Sequence, residues 1–445
     1  MREGGLDAPV RHFIDWESDD FTDPQLVNSE LRRVFDICHG CRRCFNLCDS
    51  FPTLFDMIDD SETGELDSVP DEEFKKVVDG CTLCDMCFMT KCPYVPPHEF
   101  NLDFPHLMLR YRAMEFDQGK VGFVEKEITK TDRNGRLASK LAVLVNWVSS
   151  VDKTFFRLIL KWMLNIHVKA KLPKFNWTGF SALSSPGKEV EDGPVNRKVA
   201  IYQTCFVEYN NPKIGLAAEQ VLKKNGIKVV NVYPECCGMP QLEHGDIKSV
   251  ADKAKKIASE LVKWIDDGYD IVTLVPSCSL MLKFEWPLLL PNEQLINKLS
   301  KATYDISEYV VDVCGKEAME KGLTKIEGGV TLHQACHARA QNMGPKSLEM
   351  LRFIPETEVQ VVERCSGHGG TWGVMNNNFD TAIKQGKPVV KKITETQTSN
   401  VVSECPLARD HIIQGLEATS DDDSDKIIVN DISHPIELLA KSYGK

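Results

Sequence analysis

The sequence predicts a multidomain protein in which a helical, cysteine-dense N-terminal unit is followed by two tandem α/β domains. The chain has 445 residues, which at ordinary domain sizes predicts about two to four domains. Eight of its 16 cysteines form two dense groups before residue 110. The other eight are widely spaced in two stretches of similar sequence after residue 197.

Composition limits the class of protein. Hydrophobic residues make up 42% and charged residues 27% of the chain, which is typical of a globular protein with several cores. The net charge of −12 argues against nucleic acid as a partner. The N-terminus lacks an apolar signal core, and no apolar run reaches the roughly 18 residues of a spanning helix. We therefore expect a cytoplasmic protein, or one attached to the inner face of the cell membrane without crossing it.

The two dense groups predict iron–sulfur binding in residues 1–110. They read CHGCRRCFNLC and CTLCDMCFMTKCP. Three cysteines at steps of three let one loop deliver thiolates to a [4Fe–4S] cluster, and the fourth cysteine reaches the other cluster in two-cluster ferredoxins. One cluster is thereby assigned to Cys38, Cys41, Cys44 and Cys92, and the other to Cys81, Cys84, Cys87 and Cys48. The segment is predicted to be an α-helical two-cluster ferredoxin-like unit.

Structural zinc is the alternative for these groups, because Cys-x-x-Cys pairs also suit tetrahedral zinc. In a reducing compartment grouped cysteines indicate metal rather than disulfides. Zinc has little use for the third and fourth cysteines of each group, so the spacing favours iron–sulfur clusters. The second group has one extra residue before its last cysteine, which leaves the cluster type open.

Residues 111–196 contain no cysteine and are predicted to form a helical, partly basic connector that ends in a Ser/Pro/Gly-rich linker. Lys153, Arg157 and Lys161 recur at four-residue steps, while apolar side chains fall on another flank. A basic amphipathic helix of this kind can lie in a membrane interface. A helix packed on the N-terminal unit, with its charges in water, would show the same pattern.

Residues 197–327 and 328–445 are predicted to be two copies of one α/β domain. Strand-forming segments (VAIYQTC, IKVVNVY and DIVTLVPSC in the first copy) alternate with helical segments, which predicts parallel sheets. The cysteines of the two copies correspond at offsets of 131, 129 and 127 residues, which indicates tandem duplication. The corresponding pairs are Cys205 with Cys336, Cys236 with Cys365, and Cys278 with Cys405. Each lies just past a strand, where open α/β sheets bind ligands.

The adjacent cysteines Cys236 and Cys237 need a partner outside the pair, because a disulfide between neighbours is strained. At this point the chain resembles a known family, the CCG-domain iron–sulfur oxidoreductases. These include the iron–sulfur C subunit of anaerobic glycerol-3-phosphate dehydrogenase and the B and D subunits of heterodisulfide reductase. The resemblance rests on the dense groups, on TC…PECCG…PSC, and on AC…RCSGHGG…ECPLA.

The resemblance implies an iron–sulfur cluster in the first CCG domain and candidate cluster ligands in both. The implied ligands are Cys205, Cys236, Cys237 and Cys278 in the first domain and Cys336, Cys365 and Cys405 in the second. Met281 replaces the last cysteine of the fuller motif, so a cubane and a noncubane cluster both stay open. Ser366 replaces the second adjacent cysteine, so the second domain has an incomplete cluster, a nitrogen ligand from His337 or His368, or no cluster. Cys314 matches nothing and is interpreted as a small buried hydrophobic residue.

The sequence contains no Gly-rich dinucleotide fingerprint and no nucleophile–base arrangement, so any chemistry belongs to the clusters. The resemblance implies an electron-transfer subunit of an oxidoreductase, acting between a flavoprotein dehydrogenase and quinone or another acceptor. Thiol/disulfide reduction at a CCG cluster is the alternative function, which Met281 and Ser366 both weaken. A redox sensor or scaffold is the third.

Overall fold

A computed structural model describes residues 7–184, 197–316, 319, 322–419 and 433–444. A helical N-terminal region precedes two small parallel sheets that are surrounded by helices. This arrangement confirms the prediction of two tandem α/β domains. Most of the predicted linker, residues 185–196, lies outside the described residues.

The N-terminal unit is helical. Its helices are α1 (Pro24–Cys41), α2 (Ser50–Asp59), α3 (Phe74–Asp79), α4 (Met86–Thr90) and α5 (Phe104–Asp117), with 3-10 turns at Leu66–Ser68 and Asp71–Glu73. Helix α1 begins where it does because the Asp23 carboxylate accepts hydrogen bonds from the amides of Gln25 and Leu26, both at 2.9 Å, and so caps the helix. Helix α5 continues past residue 110.

The connector is helical, as its composition predicts, but its basic residues are not all in water. It contains α6 (Phe123–Ile128), α7 (Thr131–Lys140), α8 (Ala142–Val148), α9 (Thr154–Leu164) and α10 (Phe180–Leu183). The expectation that the charges of α9 are solvated is wrong for Arg157, which is 1% exposed. Its guanidinium donates hydrogen bonds to the carbonyls of Ser149, His167, Val168 and Ala170 at 2.6 to 3.1 Å. Buried carbonyls outside helices need such donors, and here the arginine supplies them.

The outward side of the connector is apolar. Trp162 and Phe155 of α9 are 86% and 70% exposed, and Val143 of α8 is 77% exposed. Across the part of the chain that the structure describes, no helix combines the length and apolar character needed to span a bilayer. The exposed apolar side chains therefore belong to short helices on the protein surface.

The first α/β domain is built on a four-stranded parallel sheet of order β2-β1-β3-β4. Its elements are β1 (Lys198–Tyr202), α11 (Thr204–Tyr209), α12 (Pro212–Lys224), β2 (Lys228–Val232), α13 (Met239–Glu243), α14 (Ile247–Asp266), β3 (Asp270–Thr273), α15 (Pro276–Leu280), α16 (Trp286–Leu289), α17 (Gln294–Lys301), β4 (Thr303–Asp305) and α18 (Ile306–Glu308), with π-helical turns at Met281–Glu285 and Tyr309–Cys314. In register, Val199 of β1 lies opposite Val229 of β2 and Asp270 of β3. Strand β4 is an element that the sequence did not predict.

The second domain repeats the first with the order β6-β5-β7. Its elements are β5 (Val330–His333), α19 (Cys336–Ala340), α20 (Lys346–Leu351), β6 (Val359–Val362), a 3-10 turn (Trp372–Val374), α21 (Phe379–Thr396), β7 (Asn400–Ser403), α22 (Pro406–Thr419) and α23 (Pro435–Ser442). This order matches β2-β1-β3 of the first copy. Val402 also forms a parallel bridge to Ser433, at the place where β4 pairs with β3. The shared topology supports the duplication.

The two domains and the N-terminal unit pack closely on one another. Helix α23 lies against α12 of the first domain, where the Asn225 amide donates a hydrogen bond to the Tyr443 hydroxyl at 3.1 Å. One apolar core extends from α1 through both sheets. The carboxyl ends of the strands consequently face the cysteine-rich loops of the N-terminal unit.

Candidate metal centre

The first dense group gathers at the C-terminal end of α1. Burial raises the pKa of the Cys38 thiol well above its usual value, and the charges of the neighbouring thiols of Cys92, Cys44 and Cys41 raise it further. Burial, then the charge of Cys92, raises the pKa of Cys44 to about 12. Buried, mutually repelling thiolates are stable only beside cations. These four side chains therefore suit a metal cluster.

The second group forms around the loop before α4. Leu83 and Asp85 have φ angles of 47° and 63°, a left-handed backbone that wraps the loop around its cysteines. Burial, then the charges of Cys81 and Cys84, raises the pKa of Cys48. Cys48 thus lies with the second group and Cys92 with the first, which is how two-cluster ferredoxins exchange their fourth cysteines. Their binding of iron stays a prediction.

The first α/β domain brings four distant cysteines together past its strands. Cys205 follows β1, Cys236 and Cys237 follow β2, and Cys278 lies in α15 after β3. The sulfur atoms of Cys237 and Cys278 are 3.3 Å apart. Hydrogen bonds from the thiols of Cys205 and Cys237 lower the pKa of Cys236. Gly238 has a φ of +89°, a conformation that suits a residue without a Cβ atom.

The second domain places three cysteines in the corresponding positions. Burial raises the pKa of Cys336, and the charges of Cys84, Cys365 and Cys405 raise it further. Cys365 opens into a cavity, and its sulfur accepts a hydrogen bond from the amide of Gly367 at 3.3 Å. Cys314 is buried, at 7% exposure, outside the groups of candidate ligands.

The two dense groups and the cysteine groups of the two α/β domains lie close to one another. Cys87 is near Cys44 of the first group, because the charge of Cys44 contributes to the raised pKa of Cys87, after burial and nearer thiols. Burial, then the charge of Cys365, raises the pKa of Cys84 to about 12. The second dense group is therefore next to both the first group and the second α/β domain.

The imidazole of His337 connects the second dense group to the first α/β domain. Its Nε2 lies 3.3 Å from the carbonyl oxygen of Leu83, and its Nδ1 lies 2.7 Å from the hydroxyl of Ser277. A carbonyl only accepts hydrogen bonds, so Nε2 carries the proton and Nδ1 accepts from Ser277. One imidazole thus contacts residues adjacent to Cys84 and Cys278.

A cavity of about 680 Å³ lies between the groups. Cysteines of both α/β domains and of the second dense group line it, including Cys48, Cys84, Cys205, Cys278, Cys336 and Cys365. The cavity also borders Glu243, whose pKa burial raises to about 8. This is the place to which the sheets direct their candidate ligands.

The candidate ligands of the centre are almost all cysteine thiols. In the described ranges, no three His, Cys, Asp or Glu side chains converge closely enough to hold one metal ion. A cluster places several irons and sulfides between its ligands, so cluster ligands need not converge on one point. The donor set, thiolate sulfur in nearly every position, is that of iron–sulfur proteins.

Several residues at this centre had no sequence signal. Asp132 of α7 accepts a hydrogen bond from the amide of Cys236 at 2.9 Å and another from the Tyr233 hydroxyl. The indole of Trp286 donates to the carbonyl of Cys237 at 3.2 Å. Each lies more than forty residues from the cysteine it supports, so only the fold brings them together.

Comparison with known proteins agrees with this geometry. The family described as CCG, cysteine-rich domain, matches residues 199–283 and 330–407. The C subunit of anaerobic glycerol-3-phosphate dehydrogenase from Escherichia coli (strain K12) is 26% identical over 351 residues, 76% of this chain and 81% of the relative. The D subunit of dihydromethanophenazine:CoB–CoM heterodisulfide reductase from Methanosarcina barkeri (strain Fusaro / DSM 804) is 24% identical over 386 residues, 84% and 80% of the two chains.

The match to a third relative covers a smaller part of both chains. The B subunit of fumarate reductase (CoM/CoB) from Methanothermobacter marburgensis is 28% identical over 226 residues, 49% of this chain and 42% of the relative. The two CCG matches enclose the seven cysteines that follow the strands. The chain therefore contains two segments that match the cysteine-rich CCG domain, and it is similar over most of its length to subunits of glycerol-3-phosphate dehydrogenase and heterodisulfide reductase.

Proposed function

We propose that the chain is an iron–sulfur electron-transfer subunit of an oxidoreductase. It would act between a flavoprotein dehydrogenase and quinone or another acceptor. The relatives named above are subunits of a dehydrogenase and of two reductases, which supports a partner subunit. The observation that carries the proposal is the close succession of buried thiol groups from Cys38 to Cys278.

The residues would hold at least three clusters. Two [4Fe–4S] clusters are assigned to the dense groups, one to Cys38, Cys41, Cys44 and Cys92 and the other to Cys48, Cys81, Cys84 and Cys87. Cys205, Cys236, Cys237 and Cys278 would hold a further cluster, cubane or noncubane. Cys336, Cys365 and Cys405 would hold an incomplete one. Iron–sulfur clusters exchange electrons one at a time, at potentials set by ligands, burial and hydrogen bonds.

The protein's own groups hold the relay together. Asp132 and Trp286 fix the backbone at Cys236 and Cys237 through the bonds described above. His337 bridges the loops of Cys84 and Cys278. Apolar side chains around α1 and both sheets pack against most of the cysteines. These contacts set the short separations that electron transfer between groups requires.

Iron analysis of cysteine variants tests this proposal. Anaerobically purified protein should contain more than about eight irons per chain, because the two dense groups alone account for two [4Fe–4S] clusters. Cys84→Ser should lower the iron content and remove part of the EPR signal of the reduced protein. Cys314→Ser is the matched control, a buried cysteine outside the groups, and should change neither. Equal iron in Cys84→Ser and wild-type protein would contradict the assignment.

Disulfide reduction is the second candidate, and the cavity of about 680 Å³ beside Cys278 and Cys365 favours it. One observation counts against this function. Met281, which is fully buried, stands at the position of the last cysteine in the fuller motif, so the first domain lacks a fifth thiol. An organic disulfide added to the reduced protein distinguishes the two functions. Electron transfer alone predicts that no free thiol accumulates beyond the control without protein, whereas disulfide reduction releases two thiols per disulfide.

We also propose that the protein is cytoplasmic and that its connector contacts the inner face of the cell membrane. Residues 130–175 contain ten lysines and arginines and two aspartates, although the whole chain has a net charge of −12. The exposed side chains of Trp147, Phe155 and Trp162 lie in this segment. Aromatic residues beside basic residues suit the headgroup region of an anionic bilayer.

Vesicle flotation tests the membrane contact. The protein should float with phosphatidylglycerol vesicles and remain at the bottom with phosphatidylcholine vesicles, because the attraction is electrostatic as well as apolar. The variant Phe155→Ser/Trp162→Ser should lose flotation. Phe284→Ser, an exposed aromatic residue of the first α/β domain that is 39% exposed, is the control. Flotation of the double variant equal to wild type would refute the contact.

A further inference from the structure

The two copies of the CCG motif differ by a paired exchange of residues. The first copy reads CCGM from Cys236, and the second reads CSGH from Cys365. The glycines of the two motifs, Gly238 and Gly367, have φ angles of +89° and +80°, so both have a left-handed backbone. The second copy has therefore lost a thiol one residue after its first cysteine and gained an imidazole, His368, three residues after it.

The gained imidazole is directed at a cysteine of its own domain, Cys405. Nε2 of His368 lies 3.9 Å from the sulfur of Cys405. Nδ1 of the same ring lies 2.9 Å from the hydroxyl of Ser366, the residue that replaces the lost cysteine. The backbone also fixes the loop, since the amide of Gly373 donates to the carbonyl of His368 at 2.8 Å. The ring is held from one side and presents Nε2 on the other.

Other histidines near the second domain are less suited to ligate metal there. The nitrogens of His337 are both engaged, with Ser277 and Leu83. Those of His333 are engaged with Ser403 and the carbonyl of Arg364. His411 has a buried Nε2 without a partner in the described structure, but no contact joins it to a cysteine sulfur. Among the histidines near the second domain in the described ranges, His368 alone combines an available nitrogen with such a contact.

We propose that Nε2 of His368 is the fourth protein ligand of an iron–sulfur cluster held by Cys336, Cys365 and Cys405. This inference rests on the proposed function, since it completes a cluster that the proposal leaves short of one ligand. The hydrogen bond from Nδ1–H to Ser366 would fix the tautomer and ring orientation, as outer-shell partners of ligating histidines commonly do. Ser366 is thus a positioning residue rather than a ligand.

The exchange has a consequence for the electrons of the relay. A neutral imidazole in place of a thiolate leaves the cluster with one negative charge fewer, and histidine ligation raises the potential in other iron–sulfur centres. Cys336 and Cys365 lie beside Cys84 of the second dense group. The second domain would therefore hold the more easily reduced site, next to the ferredoxin-like unit.

Pulsed EPR with labelled histidine tests the ligand directly. Reduced wild-type protein grown with ¹⁴N- or ¹⁵N-histidine should show a nitrogen coupling that changes with the isotope. The coupling should disappear in His368→Met, which installs the residue of the first copy, and persist in His411→Met, the control from the same cavity. Ser366→Cys/His368→Met recreates the first-copy motif and should restore iron without nitrogen coupling and at a lower potential.

The outcomes separate this inference from the proposed function. Isotope-dependent coupling that survives in His368→Met would overturn the inference. The inference would also fail if the EPR signal that Cys405→Ser abolishes showed no histidine coupling in the wild-type protein. Iron content and spectra unchanged in Cys405→Ser would also overturn it, because no cluster would then lie in this domain. In each case the signals of the two dense groups would remain and the proposed function would stand. Wild-type protein without iron would instead refute the proposed function itself.

Discussion

Arg11 holds a buried cluster of charges that connects the N-terminal segment to the first α/β domain. Its guanidinium contacts Asp85 at 2.7 and 3.0 Å and Asp103 at 2.7 and 3.1 Å. It also reaches Glu285 at 3.3 Å, and His106 lies 3.3 Å from the same glutamate. Asp85 directly follows Cys84, so this cluster supports a candidate ligand loop. We predict that Arg11→Met loosens it.

The magnitude follows from burial. The side chains of Arg11, Asp85 and Glu285 are 12%, 6% and 5% exposed. Removing one partner from a buried ion pair costs about 3 to 5 kcal/mol, because it leaves uncompensated charge in the interior. Methionine keeps part of the apolar contact that the arginine makes with Phe88, whose ring centre is 4.6 Å from the guanidinium carbon. The loss should therefore be mainly electrostatic.

The effect should depend on pH. Burial raises the pKa of Asp103, but His106 and Arg11 lower it more, so the net shift is downward. Glu285 is likewise shifted down, with His106 and Arg11 outweighing its burial. A lowered pKa stabilises the fold above the ordinary value and loses that stabilisation as the pH falls through the folded value. The difference between wild type and variant should be full at pH 7 and shrink below about pH 4.

His106 also makes the stability difference between wild type and Arg11→Met smaller in acid. Burial and Arg11 lower its pKa, but Asp103 and Glu285 raise it more, so the net shift is upward. Its stabilising effect is therefore complete below its ordinary value and is lost as the pH rises through the folded value. In Arg11→Met the repulsion from the guanidinium is gone, so protonated His106 compensates part of the lost charge in acid.

Hydrogen exchange measures this locally. The amides of Val10 and Ile14 donate to the carbonyls of Pro96 and Leu288 at 3.0 and 2.8 Å, so they report whether the N-terminal segment stays docked. Their protection should fall by about two to four orders of magnitude in Arg11→Met at pH 7. Arg33→Met removes an exposed pair with Glu30 and should change stability by less than about 1 kcal/mol. A difference that is independent of pH would refute the electrostatic explanation.

Three further changes test other parts of the structure. Arg157→Met should destabilise the connector by about 3 kcal/mol or more in urea unfolding, because it leaves several buried carbonyls unpaired; an effect below about 1 kcal/mol would contradict this. Gly367→Ala should remove iron from the second domain, since an added Cβ would lie 2.2 Å from the carbonyl oxygen of Ala382. The control is Gly268→Ala, where the backbone is also left-handed but nothing lies within 4 Å of the added Cβ. This control should lower the free energy of unfolding by only about 1–2 kcal/mol. Burial raises the pKa of Glu243 to about 8, so its contribution to stability is present below its ordinary pKa and is lost as the pH rises through about 8. Between pH 6 and 9 the stability of Glu243→Gln, followed by thermal unfolding, should therefore decline less than that of wild type. Equal declines would refute the pKa shift.

The sequence alone determined the repeated architecture and the grouping of the cysteines. Alternating strands and helices fixed the class of the two domains, because periodicity of apolar residues is a local property. The steps of three residues in the dense groups, and the position of each remaining cysteine after a strand, identified the candidate ligands. The sequence did not predict strand β4 or the docking of α23 on α12, because neither has a local pattern that says what it packs against.

Only the tertiary structure decided which groups are neighbours. Arg157 belongs to a basic pattern in the sequence, but the fold buries it among main-chain carbonyls, to four of which its guanidinium donates hydrogen bonds. Asp132 supports Cys236 from a segment that carries no motif. His337 and His368 are equivalent candidates in the sequence, and the structure separates them because one has both nitrogens engaged and the other points at a sulfur. Local patterns fix which residue types can bind a metal, while long-range packing fixes the direction each side chain faces.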